Sequence, residues 1–235
     1  MNDQSTYSVY FGGELFSTKH LLGNVALADT IRRRSGGRFQ PLLPQVLEQR
    51  DTTAQAIRDQ DIRALLACDL GIFHYDGPEL DAGTVVEFML AKFADIPAVL
   101  LRTDFRSSGE ISISGEPWNL MTSFYPRTES VVLDAMVMFQ RNLERPTPLF
   151  PGAPPVLDGD EPPGLVAAQK MVEQTADAVV AALERVLAMP PVLPPDLREP
   201  VYRWLSAMPG FKNAPQEVAA ELLARCAQKH ARGLL

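Results

Sequence analysis

Through the first 145 residues, short β-rich runs alternate with amphipathic helical runs, and that rhythm leaves the chain few ways to fold. "YSVYFGG" is a β-rich run ending in glycines. "HLLGNVALADTIRRRSGG" follows, with Leu21, Val25, Ala28 and Ile31 at helical spacing and a glycine stop. "RFQPLLPQ" predicts a second, weaker strand in which Pro41 suits a sheet edge. "TAQAIRDQDIRALLAC" predicts a helix, "DLGIFHYDG" a strand closed by a turn, and "AGTVVEFMLAKFAD" a third helix. "IPAVLLRTD" supplies a fourth strand and, after a long loop, "ESVVLDAMVMFQRNLE" supplies a last strand and helix. Strands separated by helices of about 10–15 residues indicate βαβ units and a parallel sheet. The expectation is a flavodoxin-like, doubly wound α/β sandwich of five strands, its site outside the carboxyl ends of the strands. The loops sharing that edge carry Gly12–Gly13, Pro44–Gln45, Asp76–Asp81 and residues 103–122.

Beyond this region the pattern changes. From Pro146 to Pro163 there are seven prolines in eighteen residues, which predicts a linker or an extended wrap. "GLVAAQKMVEQTADAVVAALERVLAM" then has apolar residues at helical spacing, and two shorter helical segments follow. The expected organisation is an α/β domain over 1–145, a linker over 146–163 and a C-terminal α-helical extension over 164–235.

Charge and composition remove several function classes. A formal charge of −7 disfavours a nucleic-acid polymer as partner, since neutralising phosphates needs a basic face. The one basic cluster, Arg32 to Arg34, sits where a helix C-terminus favours cations. Cys68 and Cys226 are too few and too far apart for a disulfide framework, and His20, His74 and His230 lack ligand spacing, so no metal site is expected. "MNDQSTYSVYFGG" lacks the basic flank and apolar core of a signal peptide, and no apolar run reaches the ~18 residues of a spanning helix. The expectation is a soluble, reduced, cytoplasmic protein without a membrane role.

The residues with the most chemistry are carboxylates. "HYDGPELDAGTVVEFMLAKF" sets Asp76, Glu79, Asp81 and Glu87 between a strand and a helix. Read locally, Thr84-Val-Val-Glu87 fits a capping box and Asp76-Gly77 an ordinary turn. Read chemically, Glu87 falls in the first helical turn, where the helix dipole favours the ionised form that a nucleophile needs. Asp81 lies six residues earlier in the same loop, so both carboxylates can face one cleft. Such a pair is what retaining glycosidic-bond cleavage requires, one group attacking carbon and the other handling the leaving group's proton. Asp61 adds a third acid. It interrupts the otherwise apolar row Ile57, Asp61, Leu65, where a carboxylate is costly unless paired or functional. Asp59 falls on the expected solvated side.

The blocks "VYFGGELFS", "PLLPQ", "QDIRALLACDLGIFHYDGPELDAGTVVEFMLA" and "GEPWNLMTSF" together resemble the nucleoside 2-deoxyribosyltransferase family over roughly residues 7–145. The resemblance implies Glu87 as the nucleophile at C1′ of the deoxyribosyl group, held by a hydrogen bond from Tyr10. It implies Asp81 and Asp61 against the nucleobase, one of them delivering the proton that lets the base leave. Gly12, Phe16 and Gln45 would frame the substrate, while Asn119 and Met121 of "WNLM" would complete a neighbouring subunit's pocket. The implied substrates are 2′-deoxynucleosides and free purine or pyrimidine bases, with no cofactor and a homo-oligomer with shared sites. Glu14 and the proline-rich and helical tail depart from the compact family pattern. A 2′-deoxynucleoside 5′-phosphate N-hydrolase of the same fold is the near alternative, with Ser114 or Arg127 as the phosphate grip. A nucleotide-sensing module is the alternative of a different class.

Overall fold

The computed structural model describes residues 5–47, 53–106, 117–143 and 163–235. Strands β1 (Tyr7–Gly12), β2 (Phe39–Leu42), β3 (Leu70–His74), β4 (Ala98–Arg102) and β5 (Thr128–Val132) form one sheet in the order β2-β1-β3-β4-β5. Every pairing is parallel. This is the expected flavodoxin-like order, with its switch point between β1 and β3. Pro41 lies in β2, the edge strand, where a missing N–H is tolerated.

The helices are α1 (Thr18–Arg34), α2 (Ala54–Ala67), α3 (Ala82–Phe93), α4 (Ala135–Asn142), α5 (Pro163–Leu187), α6 (Arg198–Ala207) and α7 (Pro215–Ala231). Strand alternation divides the interior into two cores. Val9, Phe11, Ile72 and Leu101 face α1 and α5, whose Leu27, Ile31, Val179 and Leu183 complete that layer. Tyr10, Phe73 and Leu100 face the other way, toward Leu65, Leu66 and Phe88 of α2 and α3. α6 and α7 extend this second layer through Tyr202, Leu205 and Leu222.

The segment beyond residue 163 therefore covers both faces of the sheet. α5 is held to α1 by the ion pair Arg34–Asp177 (2.5 Å) and to the turn before β2 by Arg38–Glu184 (2.7 Å). The end of the chain is clipped by buried Arg127, which pairs with Asp95 (3.1 Å) and donates to the Leu234 carbonyl (3.0 Å). Asp95 in turn accepts from the backbone N–H groups of Val192 and Leu193. Lys229, also buried, donates to the Leu66 carbonyl at the end of α2 (2.9 Å). The expected linker, apart from Pro163, lies outside the described residues. No helix among the described residues is long and apolar enough to cross a membrane.

α1 ends as its sequence predicts, with Arg32, Arg33 and Arg34 in the last turn and Gly36 and Gly37 at positive φ (61° and 81°) closing the turn into β2. The start of α3 differs from expectation. Asp81, not Thr84, is the N-cap: its Oδ2 accepts from the Thr84 N–H (2.7 Å) and from Thr84 Oγ1 (2.9 Å). A carboxylate satisfies the orphan amides and meets the positive helix end, and Asp ranks above Thr as a cap. The helix thus begins earlier, and Glu87 lies in its second turn.

Candidate active site

Tyr10 sits near the carboxyl end of β1, fully buried, with its ring on the α2/α3 side of the sheet. Its hydroxyl donates a 2.7 Å hydrogen bond to Glu87 Oε1. The other Glu87 oxygen presses on Gly12: a Cβ there would lie 2.7 Å from Oε2 and 2.9 Å from Phe73 Cδ1. Gly12 is needed for space, because any side chain would displace the carboxylate. Asp61 and Asp81 are close enough for their charges to act on Glu87.

The electrostatics differ from the simple helix-dipole expectation. Burial, reinforced by the neighbouring Asp61 and Asp81 charges, pushes the Glu87 carboxyl up to about 7, while the Tyr10 hydrogen bond opposes the rise. In the second turn the helix end is too far away to hold Glu87 ionised. Burial likewise raises Asp61 to about 6, and its Oδ1 is shielded from solvent with no hydrogen-bond partner. Tyr10 is held well above the ordinary tyrosine range by burial and by the Glu87 charge, so it acts as a permanent donor. Asp81 spends Oδ2 on capping α3. Two acids raised toward neutrality, Glu87 and Asp61, with Asp81 beside them and one buried tyrosine between, can support nucleophilic attack at one atom and proton transfer at another.

The remaining anticipated residues are placed as follows. Gln45 joins the short helical turn after β2 to α1, accepting from Asn24 Nδ2 (3.2 Å) and donating to the Leu21 carbonyl (3.0 Å). Phe16 is 74% exposed and Met121 77% exposed. Asn119 caps the 3-10 turn Leu120–Thr122, its Oδ1 accepting from the Met121 N–H (2.9 Å). Tyr10, Gly12, Asp61, Asp81 and Glu87 are thus brought together, whereas Phe16, Asn119 and Met121 project outward.

Two carboxylates read as ordinary are not. Asp59, expected on the solvated side, is buried: it pairs with Arg58 and accepts from the Lys212 N–H (2.9 Å), because the chain after α6 covers that side of α2. Asp76 is no simple turn residue. It accepts from the N–H (2.5 Å) and Oγ1 (2.7 Å) of Thr103 and from the Asp104 N–H (2.9 Å), tying the β3 and β4 loops together. Arg102, fully buried, reinforces the tie by donating to the carbonyls of Tyr75, Gly77 and Arg106. Ser114, one candidate phosphate grip, lies outside the described residues, and Arg127, the other, is buried in its pair with Asp95.

Sequence reasoning missed the aromatic support behind Glu87. Buried Tyr75 meets Phe88 and Trp118 edge-on at 6.0 and 5.4 Å, and Trp118 donates to Ser123 Oγ (3.0 Å). Its only signal was "WNLM", where Trp118 precedes the residues that drew attention.

A flavodoxin-like sheet with a tyrosine-bound glutamate and two aspartates at its carboxyl edge defines a protein equipped for glycosidic-bond chemistry. A model of the nucleoside 2-deoxyribosyltransferase family matches residues 9–121, and that part of the chain is a domain of this family. Among solved structures it is similar to a conserved protein from Enterococcus faecalis V583, at 30% identity over 50% of this chain and 84% of that one, TM-score 0.42. It is also similar to the 2-desoxiribosyltransferase of Leishmania mexicana, at 24% identity over 55% of this chain and 90% of that one, TM-score 0.43. The 2-deoxyribosyltransferase of Bacillus psychrosaccharolyticus is 19% identical over 49% of this chain and 79% of that one, TM-score 0.37. A search of curated proteins found no match.

Proposed function

We propose that this protein transfers 2-deoxyribose between nucleobases by a retaining double displacement on Glu87. The observation that carries the reading is the 2.7 Å hydrogen bond from Tyr10 to Glu87 Oε1, which orients a buried carboxylate beside two further acids. In the first step ionised Glu87 attacks C1′. The C1′–N bond breaks, its electron pair passes to the base nitrogen, and protonated Asp61 or Asp81 neutralises the departing base. In the second step the incoming base attacks C1′ of the glycosyl ester. The ester electron pair returns to Glu87, and the same aspartate takes up the proton shed by the new nucleoside. Neither step calls for a metal or organic cofactor. With no acceptor base, water takes its place slowly and the nucleoside is hydrolysed.

The exposed side chains Leu120, Met121 and Phe124 form an apolar knob around Asn119. In this reading Asn119 and Met121 complete the pocket of a neighbouring copy, so the active form is a homo-oligomer. Phe16, Gly12 and Gln45 frame the substrate, and the enzyme works in the cytoplasm on free nucleosides and bases. The catalytic residues all lie within 1–145, and residues 164–235 support them from both faces of the sheet.

The test is incubation of a 2′-deoxynucleoside with a different free base, followed by chromatography. Wild type should form the exchanged nucleoside and Glu87→Gln should not. Normal exchange by Glu87→Gln would remove the mechanism, and release of free deoxyribose phosphate from a nucleotide would identify an N-hydrolase instead.

A further inference from the structure

We propose that the chain carries a second small-molecule site, on the face of the sheet opposite Glu87, that takes a free nucleobase. A cavity of about 260 Å³ opens between α1, α5 and the carboxyl ends of β3 and β4. None of Tyr10, Asp61, Asp81 and Glu87 lines it. The sheet separates the two places: Tyr10, Phe73 and Phe88 pack on the Glu87 side, and Phe11, Ile72 and the cavity residue Leu27 on the other.

Four features define its ligand. The walls are largely apolar, from Leu27, Met171 and Val172, and suit the faces of a flat ring. Two lining histidines carry ring nitrogens, His20 Nδ1 and His74 Nε2, that are shielded from solvent and make no hydrogen bond. His74 Nε2 lies 3.3 Å from Asp76 Oδ2 but without hydrogen-bonding geometry to it. Buried polar atoms are normally paired, and each imidazole nitrogen can donate or accept according to its tautomer. Such a pair matches the mixed donor and acceptor edge of a neutral heterocycle. Thirdly, the wall holds two carboxylates, Glu14 and Asp76, against one lysine, Lys19, a balance that favours a neutral ligand over a phosphate or carboxylate. A volume just under the ~300 Å³ at the low end of small-molecule sites also suits a base better than a nucleotide.

Gly23 is the fourth feature. It lies inside α1 at the cavity, where a Cβ would meet nothing within 4 Å. Glycine inside a helix is less favourable than alanine, and no neighbour demands it here. What its absent side chain preserves is open space at the cavity. Naming the heterocycle as a nucleobase rests on the function proposed above, which supplies free bases as substrates.

The experiment is calorimetric titration of the full chain with adenine and with cytosine, comparing wild type, Gly23→Leu and His20→Ala. Wild type should bind two equivalents of at least one base per chain, and Gly23→Leu one. Far-UV dichroism establishes folding of each variant. If Gly23→Leu does not fold, His20→Ala carries the test by weakening the second equivalent at least tenfold. Base binding that neither variant weakens, whether one equivalent or two, or no binding at all, would overturn the proposal. Displacement of the second base by inorganic phosphate would also overturn it, by making the cavity an anion site. Absence of base exchange in wild type sinks the transferase reading alone, because the stoichiometry is read without turnover.

Discussion

Glu87→Gln should remove catalysis and stabilise the fold, and the gain should depend on pH in a defined way. Burial and two neighbouring acids raise the Glu87 carboxyl from its ordinary 4.5 to about 7 in the folded protein. Each tenfold in acidity is worth about 1.4 kcal/mol, so the ionised folded state gives up about 3 kcal/mol relative to an unfolded chain with a solvated glutamate. The sign follows from linkage. A folded pKa above the unfolded one favours the folded state below pH 4.5, and that advantage is lost as pH rises through about 7. Glutamine is neutral at every pH, and its amide oxygen still accepts from Tyr10. The difference between variant and wild type should therefore be constant below about pH 4, grow in the variant's favour between 4.5 and 7, and level off above about 8. Urea denaturation over that pH range measures it, with the plateau difference about 3 kcal/mol above the acid value. A difference that does not change with pH would refute the idea that Glu87 is held against its desolvation cost.

Gly12→Ala should lower base exchange about 100-fold, because its Cβ would lie 2.7 Å from Glu87 Oε2 and push the carboxylate off Tyr10, and should also cost some stability where that Cβ meets the buried Phe73 ring at 2.9 Å. Unchanged kcat would show that the contact is not needed. Tyr10→Phe should slow exchange roughly 10- to 100-fold, as expected for a hydrogen bond to a charged group. Since the Tyr10 bond lowers the Glu87 pKa, its loss should move the acid limb of the pH–rate profile to higher pH; a shift the other way would contradict the assignment. Mixing inactive Asn119→Ala with inactive Glu87→Gln should restore part of the activity if copies share sites, and no recovery after subunit exchange would argue for self-contained ones. In Trp204→Phe, buried Trp118 is the remaining tryptophan, and its fluorescence should report the same unfolding midpoint as far-UV dichroism, since α5 to α7 share cores with the sheet. Two separated transitions would make residues 164–235 an independent unit.

The parallel sheet was legible because its evidence is local. A strand such as β1 alternates Val9 and Phe11 against Tyr10, and a helix such as α1 repeats apolar residues until Gly36 stops it. Both patterns depend on neighbours within a few positions. The carboxylate spacing was legible for the same reason, and the row Ile57, Asp61, Leu65 marked Asp61 as out of place. The identical argument failed for Asp59, because the surface it faces is covered by the segment around Lys212, far along the chain. A helical wheel registers one helix, not what a distant segment lays over it.

What the sequence determined by itself is the order of elements, the edge on which the loops gather, and the candidacy of Tyr10, Asp61, Asp81 and Glu87. Tertiary structure alone decided how those groups behave. It placed Glu87 one turn deeper than the local capping pattern predicts and raised its pKa by burial. It made Gly12 the space for a carboxylate oxygen, turned Asp76 into a tie between two loops, and used the tail to cover both faces of the sheet. Desolvation and close packing are set by elements far apart in sequence, so they exist only once the chain has closed around them.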